Sequence, residues 1–267
     1  MAQADQPSDS GILVSSEFVR HRNVLLTRTK MTDLFLEYYL HVADSGLHLA
    51  PEHDRLFKDL LVVAVLHAAS RPRNEYLAWT MNLQQPLLNM FVTSDNEAGT
   101  VAGRVFTENV RKGDTNLLYL ETVRGRETKR RSVVDFRESS VFGAAEAFFS
   151  KSEQRPSRLF DLGDEEYILL SSHPDCDLSW LQGIDAGAVG AALAAETVVP
   201  VERRHCEWQC GCTERRMFEI LAPTMREHPE ELFRGEDSIR IECPRCAKHY
   251  RITREALEAY MVGQANA

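Results

Sequence analysis

The sequence predicts an α+β fold, in which an antiparallel sheet core domain with packed helices is joined by a short, weak connector to a small C-terminal domain. Three observations indicate this fold. Residues 51–70 form one long apolar segment, five short strand-like runs follow between 75 and 136, and the composition shifts to Cys, Arg and Glu from His205 onward. A chain of 267 residues also suits one medium domain with a smaller second one.

The composition is that of a folded protein without a membrane or nucleic-acid partner. Hydrophobic residues make up 43% of the chain and charged residues 27%, close to the average for globular proteins. The net charge of −9 argues against a protein whose main task is to neutralise nucleic-acid phosphates or anionic lipids. The N-terminus lacks the features of a secretion signal, and no stretch approaches the roughly 18 apolar residues that span a bilayer. The sequence therefore predicts a cytoplasmic protein.

The core domain is expected over 17–172, after a small and polar N-terminus at 1–16 that is predicted to be flexible. A short strand (VLLT) comes first, and Thr32 and Asp33 then offer an N-cap for the apolar run LFLEYYLHV. The segment 51–70 begins with proline, gathers acidic residues in its first turn and then becomes almost wholly apolar. These features predict the main buried helix of the domain.

The sheet is predicted from short runs that are rich in β-branched and aromatic residues and are separated by polar or glycine-bearing breaks. Five such runs lie at 75–83, 87–94, 101–106, 116–123 and 130–136, which predicts a sheet of about five strands. The run 141–154 then has the apolar spacing of a helix that ends before Pro156, and a strand is expected at 166–172.

The rest of the chain is predicted to consist of a linker at 173–204 and a small domain at 205–262. The linker is rich in Ala and Gly and poor in large apolar residues, so it is expected to connect domains without adding to a core. The small domain is expected to contain helices and one strand before its second cysteine pair, with the helices at 213–221, 229–233 and 253–261 and the strand at 238–242.

Two cysteine pairs in the small domain form the most informative motif. Cys210 and Cys212 make a CxC pair, and Cys243 and Cys246 make a CxxC pair thirty residues further on. Four thiolates at such spacing are the ligands of a closed structural Zn²⁺ site, and a domain of about sixty residues has few other means of stabilisation. The flexible Gly211 and the tight CPRC turn favour convergence of the sulfurs, with backbone N–H groups facing them. The predicted metal ligands are therefore these four cysteines.

The remaining candidates near the motif are interpreted as bystanders. Cys206, His205 and His249 are close in sequence, but the two pairs already complete a four-ligand shell. Cys176 lies next to aspartates that raise a thiol pKa, so it is expected to be unreactive. Basic residues can offset the excess negative charge of four thiolates, and those near the motif are Arg203, Arg204, Arg215, Arg216, Arg245 and Lys248.

Several functions remain open at this point. The spacing does not decide between an inert zinc clip and a redox-active site. A zinc-ribbon binding module for nucleic acid or protein is one alternative, although the basic run at 124–131 is better interpreted as a solvated hairpin. A thioredoxin-like enzyme is another, but the CPRC motif is followed by a strand-like run and not by the helix that such a dithiol needs. The chain is therefore not expected to be an enzyme.

The C-terminal pattern, with KHYRI and a capped helix after the CxxC pair, resembles the zinc domain of the bacterial redox-regulated heat-shock holdase family, HslO. The segment FFSKSEQRPSRLF (148–160) is similar to a second motif of that family. Weaker similarity includes the Gly-Arg-Val stretch that begins at Gly103. The resemblance spans roughly residues 22–172 and 205–260.

This resemblance implies a non-enzymatic, ATP-independent chaperone that holds unfolding proteins under oxidative stress. The reduced, zinc-bound form would be inactive. Oxidation would release zinc and form the disulfides Cys210–Cys212 and Cys243–Cys246, after which the zinc domain and the linker would lose structure. The implied partners are unfolded client proteins and a second copy of the chain in an activated homodimer. The family has a longer, helical linker than residues 173–204 provide.

Overall fold

A computed structural model describes residues 10–125, 127–137 and 140–265 of the chain. The strands of the first part are β1 (Ile12–Val19), β2 (Val24–Lys30), β3 (Glu75–Gln84), β4 (Leu87–Asp95), β5 (Thr100–Phe106), β6 (Asn116–Arg124), β7 (Arg130–Phe136), β8 (Ser157–Asp161) and β9 (Glu166–Ser172). The helices among them are α1 (Thr32–Asp44), α2 (Pro51–Ala69) and α3 (Val141–Lys151). The remaining elements are α4 (Leu178–Gly183), α5 (Val189–Ala194), β10 (Val198–Trp208), α6 (Glu214–Glu227), α7 (Pro229–Phe233), β11 (Ser238–Glu242), β12 (His249–Thr253) and α8 (Arg254–Ala265).

Ten of the described strands form one sheet in the order β7-β6-β3-β4-β5-β10-β1-β2-β9-β8. Neighbouring strands are antiparallel except β5 and β10, which run parallel over a short pairing at the centre of the sheet. The five predicted strands make up one half of this sheet, and the other half is built from β1, β2, β8, β9 and β10. A separate antiparallel hairpin of β11 and β12 belongs to the C-terminal part. The predicted α+β class with an antiparallel sheet is confirmed, with one parallel pair as an exception.

Helix α2 is the centre of the main hydrophobic core. Phe57 and every residue from Leu60 to Ala69 are buried, which is why this segment reads as almost wholly apolar. Pro51 lies in the first turn, where its missing N–H costs nothing, and Glu52 and Asp54 lie near the positive end of the helix dipole. No helix of the described residues has both the length and the apolar character that crossing a membrane requires.

The segment 148–160 ties α3 and β8 to this core. The ring of Phe148 packs edge-on against Trp79, with the ring centroids 5.0 Å apart. Glu153 accepts a hydrogen bond of 3.0 Å from Nε2 of the buried His67. Burial by itself raises the pKa of Glu153, but the charges of His67 and Arg71 outweigh it and lower that pKa to about 2. The motif is therefore a packing and ion-pairing element of the core.

The prediction of a flexible N-terminus over 1–16 is wrong for its last residues. β1 pairs with β10 on one side and with β2 on the other, so it is an interior strand of the sheet. Ile12 and Val14 face the core, and Ser16 is buried on the same side, where its hydroxyl donates to the carbonyl oxygen of Ala69. The adjacent residues Ser15 and Ser16 interrupt the alternation of apolar and polar residues, so the period of two is not visible in the sequence. Residues 1–9 lie outside the described residues.

The prediction of a coreless linker at 173–204 is also wrong. Leu181, Ile184 and Val189 are buried in a second hydrophobic cluster against strands β2, β8 and β9. The segment ends in β10, which runs from Val198 to Trp208 without interruption. The predicted boundary between 204 and 205 therefore falls inside one strand. The connector is folded because Leu181, Ile184 and Val189 pack against the same sheet face.

Candidate metal centre

Two segments bring the cysteine pairs together. Cys210 and Cys212 directly follow β10, and the end of that strand is held by β5, because the N–H of Gln209 donates to the carbonyl oxygen of Val101 at 3.0 Å. Cys243 and Cys246 occupy the turn between β11 and β12. The CxC pair is thus fixed to the core sheet, and the CxxC pair is carried by the small hairpin.

The four predicted ligands form one compact group. Their Sγ atoms all lie within 4.8 Å of one another, and this group can hold a metal ion. Two sulfur contacts join one pair to the other, at 3.7 Å from Cys210 to Cys243 and 3.6 Å from Cys212 to Cys246. Cys243 and Cys246 are each only 1% exposed, and the other two are half-buried. None of the six cysteines forms a disulfide in the structure.

The CPRC turn holds its sulfurs through the backbone. The N–H of Cys243 donates to the carbonyl oxygen of Lys248 at 2.8 Å. The N–H of Ala247 donates to the carbonyl oxygen of Cys243 at 2.9 Å. The backbone N–H groups of Arg245 and Lys248 point at the sulfurs of Cys243 and Cys246, as the sequence predicts. These donors favour the thiolate form, which is the form that binds a metal.

A hydroxyl group and neighbouring thiols stabilise negative charge on Cys212. Hydrogen bonding with the Cys210 thiol, supported by Cys246, lowers the pKa of Cys212 to about 6. The hydroxyl of Tyr250 donates to the same sulfur at 3.1 Å. Burial, together with this hydrogen bond, raises the pKa of Tyr250, so the hydroxyl stays protonated and remains a donor.

The other candidates near the motif lie outside the sulfur group. His205, Cys206 and His249 are not members of it, which agrees with their interpretation as bystanders. Burial raises the pKa of Cys206 to about 12, and burial, with Asp177 adding to the effect, raises the pKa of Cys176. Both thiols are therefore protonated and weakly nucleophilic at neutral pH.

The predicted role of the basic neighbours is only partly correct. Arg216 donates to the carbonyl oxygen of Gly211 at 3.1 Å and so lies beside the CxC pair. Arg204 instead turns toward the core, where it donates to the carboxylate of Glu202 and to the carbonyl oxygen of Arg71. Arg204 turns away from the cysteines because successive side chains of β10 point to opposite faces of the sheet, and that of Arg204 points to the face that packs on the core.

Three side chains around the cysteines were not predicted. Tyr250 donates to a ligand sulfur, and His41 and Arg104 donate to the carbonyl oxygens of Cys246 and Cys243 at 2.7 and 3.1 Å. Tyr250 lies in the KHYRI run, which was noted for its resemblance but not for this contact. The other two come from α1 and β5, and only the tertiary fold brings them to the site.

The fold and the site together define a class of protein, an α+β core with a four-cysteine centre that can hold a metal ion. The family model described as Hsp33 protein matches residues 181–253, which include all four cysteines. This match confirms the resemblance of the C-terminal part to the Hsp33, or HslO, family.

Two individual proteins are similar to the chain. The 33 kDa chaperonin of Nitrosococcus oceani is 25% identical over 150 residues, and the alignment covers 46% of this chain and 50% of that protein. The chain thus spans half the length of this curated relative. The structure of a 33 kDa chaperonin (heat shock protein 33 homolog) from Thermotoga maritima matches with a TM-score of 0.71 at 16% identity, covering 96% of this chain and 100% of that chain. At that identity the match shows a shared fold.

Proposed function

We propose that the four cysteines bind one Zn²⁺ ion. With Zn–S bonds of about 2.3 Å, tetrahedral geometry separates the sulfurs by roughly 3.8 Å. The two sulfur contacts between the pairs, at 3.6 and 3.7 Å, are close to that value. A site of four thiolates without a carboxylate binds Zn²⁺ in preference to Mg²⁺ or Ca²⁺, because those two ions prefer oxygen ligands. Bound zinc would supply a structural crosslink between β10 and the β11–β12 hairpin.

We further propose that the protein is an ATP-independent chaperone that holds unfolding proteins and that is controlled by oxidation of these cysteines. The single observation that carries this proposal is the four-sulfur group within a segment that matches the Hsp33 family model. The partners are unfolded client proteins, bound in the cytoplasm by a homodimer. Nucleic acids and membranes are not partners in this proposal, and no catalytic activity is involved.

The oxidation step has a simple balance. Two thiolates give up two electrons and become one disulfide, while hydrogen peroxide takes those electrons with two protons, its O–O bond breaks, and two water molecules form. Two peroxide molecules therefore convert four thiolates into two disulfides. Disulfide sulfurs are poor zinc ligands, so the metal leaves with this change.

The proposed disulfides are Cys210–Cys212 and Cys243–Cys246. The sulfur contacts from Cys210 to Cys243 and from Cys212 to Cys246 join the pairs across the site, so they do not by themselves favour this pairing. The pairing is supported by the low entropic cost of closing a short loop, because cysteines separated by one or two residues stay close after the domain loses its structure. Peptide mapping of the oxidised protein by mass spectrometry tests the pairing.

Loss of the metal is expected to unfold the C-terminal part. Its hydrophobic core contains five buried side chains, which are Met217, Met225, Phe233, Ile252 and Leu257. Binding of structural zinc contributes about 10 kcal/mol or more to the folding of small zinc-finger peptides. A core of this size is not expected to keep the domain folded without such a contribution. A thiol switch thereby becomes an order-to-disorder switch.

The direct test measures aggregation of a heat-unfolded client before and after peroxide treatment, with zinc release followed in the same sample. The proposal predicts that zinc leaves and that suppression of aggregation rises together with it. If zinc leaves without a gain in suppression, the redox-switched chaperone is wrong. A zinc-clipped binding module for a protein or nucleic acid would then be the better description, because peroxide should remove the function of such a module.

A further inference from the structure

The CPRC turn is attached to the core by two side chains that bind its ligand cysteines through their carbonyl oxygens. Nη1 of Arg104 donates to the carbonyl oxygen of Cys243 at 3.1 Å, and Nε2 of His41 lies 2.7 Å from that of Cys246. A carbonyl oxygen can only accept, so His41 is the donor in this contact. Each of the two buried ligands is thus connected to a different core element, β5 through Arg104 and α1 through His41.

The surroundings of these contacts restrict them further. Ala102, two residues before Arg104 on β5, packs against the side chains of Cys243 and Cys246. Nη2 of Arg104 also donates to the carboxylate of Glu242 at 3.0 Å, and the side chain of Arg104 is only 14% exposed. His249 accompanies this ion pair, with Nε2 3.0 Å from the same carboxylate group. The contacts therefore lie at a sheltered junction beside a cleft of about 1020 Å³ between α1, the sheet and the turn.

The junction buries the sulfurs of Cys243 and Cys246, and this burial limits their oxidation. Cys243 and Cys246 are 1% exposed, and Ala102 of β5 covers them on the core side, so movement of the turn away from β5 opens them to peroxide. The fraction of molecules with an open turn depends on the contacts that the closed turn makes with the core. The two carbonyl contacts have their donors on the core and their acceptors on the turn, so they are broken by that opening.

We propose that Arg104 and His41 form a latch that docks the metal-bound CPRC turn on the core sheet and sets how readily its thiolates are oxidised. The proposal rests on the proposed function and adds a regulatory role for two residues that are not ligands. By linkage, the same contacts make the order of β5 and of the end of α1 depend on the bound metal. Arg104 and His41 are positioning residues, because they act on the sulfurs through the backbone of the turn.

The test compares peroxide-driven zinc release from the full-length chain in a set of variants. Arg104→Met keeps the length of the side chain and removes its donors, and His41→Leu removes the ring donor. His41→Gln retains an N–H donor at a similar reach. Arg251→Met is the matched control, because Arg251 is exposed and donates to Ser238 within the β11–β12 hairpin. Zinc per chain, measured before peroxide is added, establishes that each variant starts with a loaded site.

The latch predicts that Arg104→Met and His41→Leu release zinc about tenfold faster or more, as expected for the loss of a sheltered or charge-assisted hydrogen bond. His41→Gln and Arg251→Met should release it at the rate of the wild type. Equal rates in all variants, each with one zinc at the start, would overturn the latch and leave the proposed function standing. Absence of zinc from the wild-type protein would overturn both proposals. If Arg104→Met does not fold, the comparison of His41→Leu with His41→Gln decides.

A second measurement tests whether the bound metal affects the order of β5 and of the end of α1. Zinc is removed from the reduced wild-type protein with a chelator, and amide hydrogen exchange is compared before and after. The latch predicts faster exchange in β5 and in the last turn of α1, with unchanged exchange in β6 at the other side of that half of the sheet. Unchanged exchange in β5 and α1 after complete zinc removal would contradict the latch.

Discussion

At the scale of single residues, Tyr250 is the side chain outside the four cysteines with the most direct link to the sulfurs. Its hydroxyl donates to Sγ of Cys212 at 3.1 Å, and the hairpin register places Tyr250 opposite Ile241, two residues before Cys243. Hydrogen bonds of this kind orient a metal ligand and favour its charged form. Tyr250 therefore acts on the metal centre without being a ligand.

The substitution Tyr250→Phe is expected to weaken zinc binding by about tenfold, because it removes the hydroxyl donor and keeps the ring. Competition with a chelator of known affinity measures the change in the reduced protein. Tyr260→Phe is a suitable control, since the ring of Tyr260 packs on Phe218 and belongs to the same small core. Wild-type affinity in Tyr250→Phe would show that the hydroxyl does not support the ligand.

A second prediction at the residue scale concerns Glu153 in the motif at 148–160. Because its pKa is lowered to about 2 in the folded protein, Glu153 contributes stability above its ordinary pKa, and this stability is lost as the pH falls from about 4.5 toward 2. The shift corresponds to about 3 kcal/mol at neutral pH. Glu153→Gln is expected to lower the free energy of unfolding by about that amount at pH 7 and by less than half of it at pH 3.

Urea unfolding of the wild type and the variant at the two pH values measures this difference. The exposed Glu236 provides the control, and Glu236→Gln should leave the free energy of unfolding within about 0.5 kcal/mol of the wild type. A loss in Glu153→Gln that is the same at pH 7 and pH 3 would mean that the charge of Glu153 is not its cause.

At the scale of elements, strand β10 is what joins the core to the metal centre. It pairs along its length with β1 and, at its end, in parallel with β5, two residues before Cys210. Its sequence VVPVERRHCEW alternates poorly, because charged residues occupy both faces and only part of each face is covered. A strand with charged residues on both faces is stabilised by its pairing with neighbouring strands. The local sequence pattern carries no information about those neighbours.

The connector helices α4 and α5 are the other element that the sequence did not predict as core. Leu181 is fully buried against the face formed by β2, β8 and β9. Leu181→Ala is expected to lower stability by about 2–5 kcal/mol locally and to release the connector from the sheet. The apolar sheet face beneath it would then be exposed without oxidation, and binding of a fluorescent apolar dye to the reduced protein would increase.

Leu178→Ala is the matched control for this experiment. Leu178 lies at the start of α4 with 43% of its surface exposed, so its truncation should change neither stability nor dye binding appreciably. If reduced Leu181→Ala binds no more dye than Leu178→Ala, the connector does not cover an apolar face that matters for binding.

Some features of this structure have a local signal in the sequence, and others do not. The buried helix α2, the strands β3 to β7 and the four clustered cysteines were all predicted, because each is marked by a local period, a run of apolar residues or a fixed spacing. The burial of Ile12 and Leu181 was missed, because Ile12 lies in a short segment with three serines and Leu181 lies in a connector that is rich in alanine and glycine. The latch residues His41 and Arg104 were missed because long-range topology alone brings them to the turn.

At the scale of the whole molecule, the two halves of the sheet and the C-terminal part meet beside the metal centre. There β5, β10 and the CPRC turn meet, and both cysteine pairs lie within a few residues of that junction. A change at the sulfurs is therefore positioned to affect the interior of the sheet and, through β10, the connector that precedes it. This arrangement is consistent with the proposed switch, in which local thiol chemistry changes the exposure of a much larger surface.

Zinc content of the freshly purified, reduced chain and of its single Cys→Ser variants tests the four-cysteine metal centre itself. One tightly bound zinc per chain is expected in the wild type and in Cys176→Ser and Cys206→Ser. Loss of that zinc is expected in each of Cys210→Ser, Cys212→Ser, Cys243→Ser and Cys246→Ser. A wild-type protein without zinc, or a Cys243→Ser variant that binds zinc as tightly as the wild type, would contradict that centre.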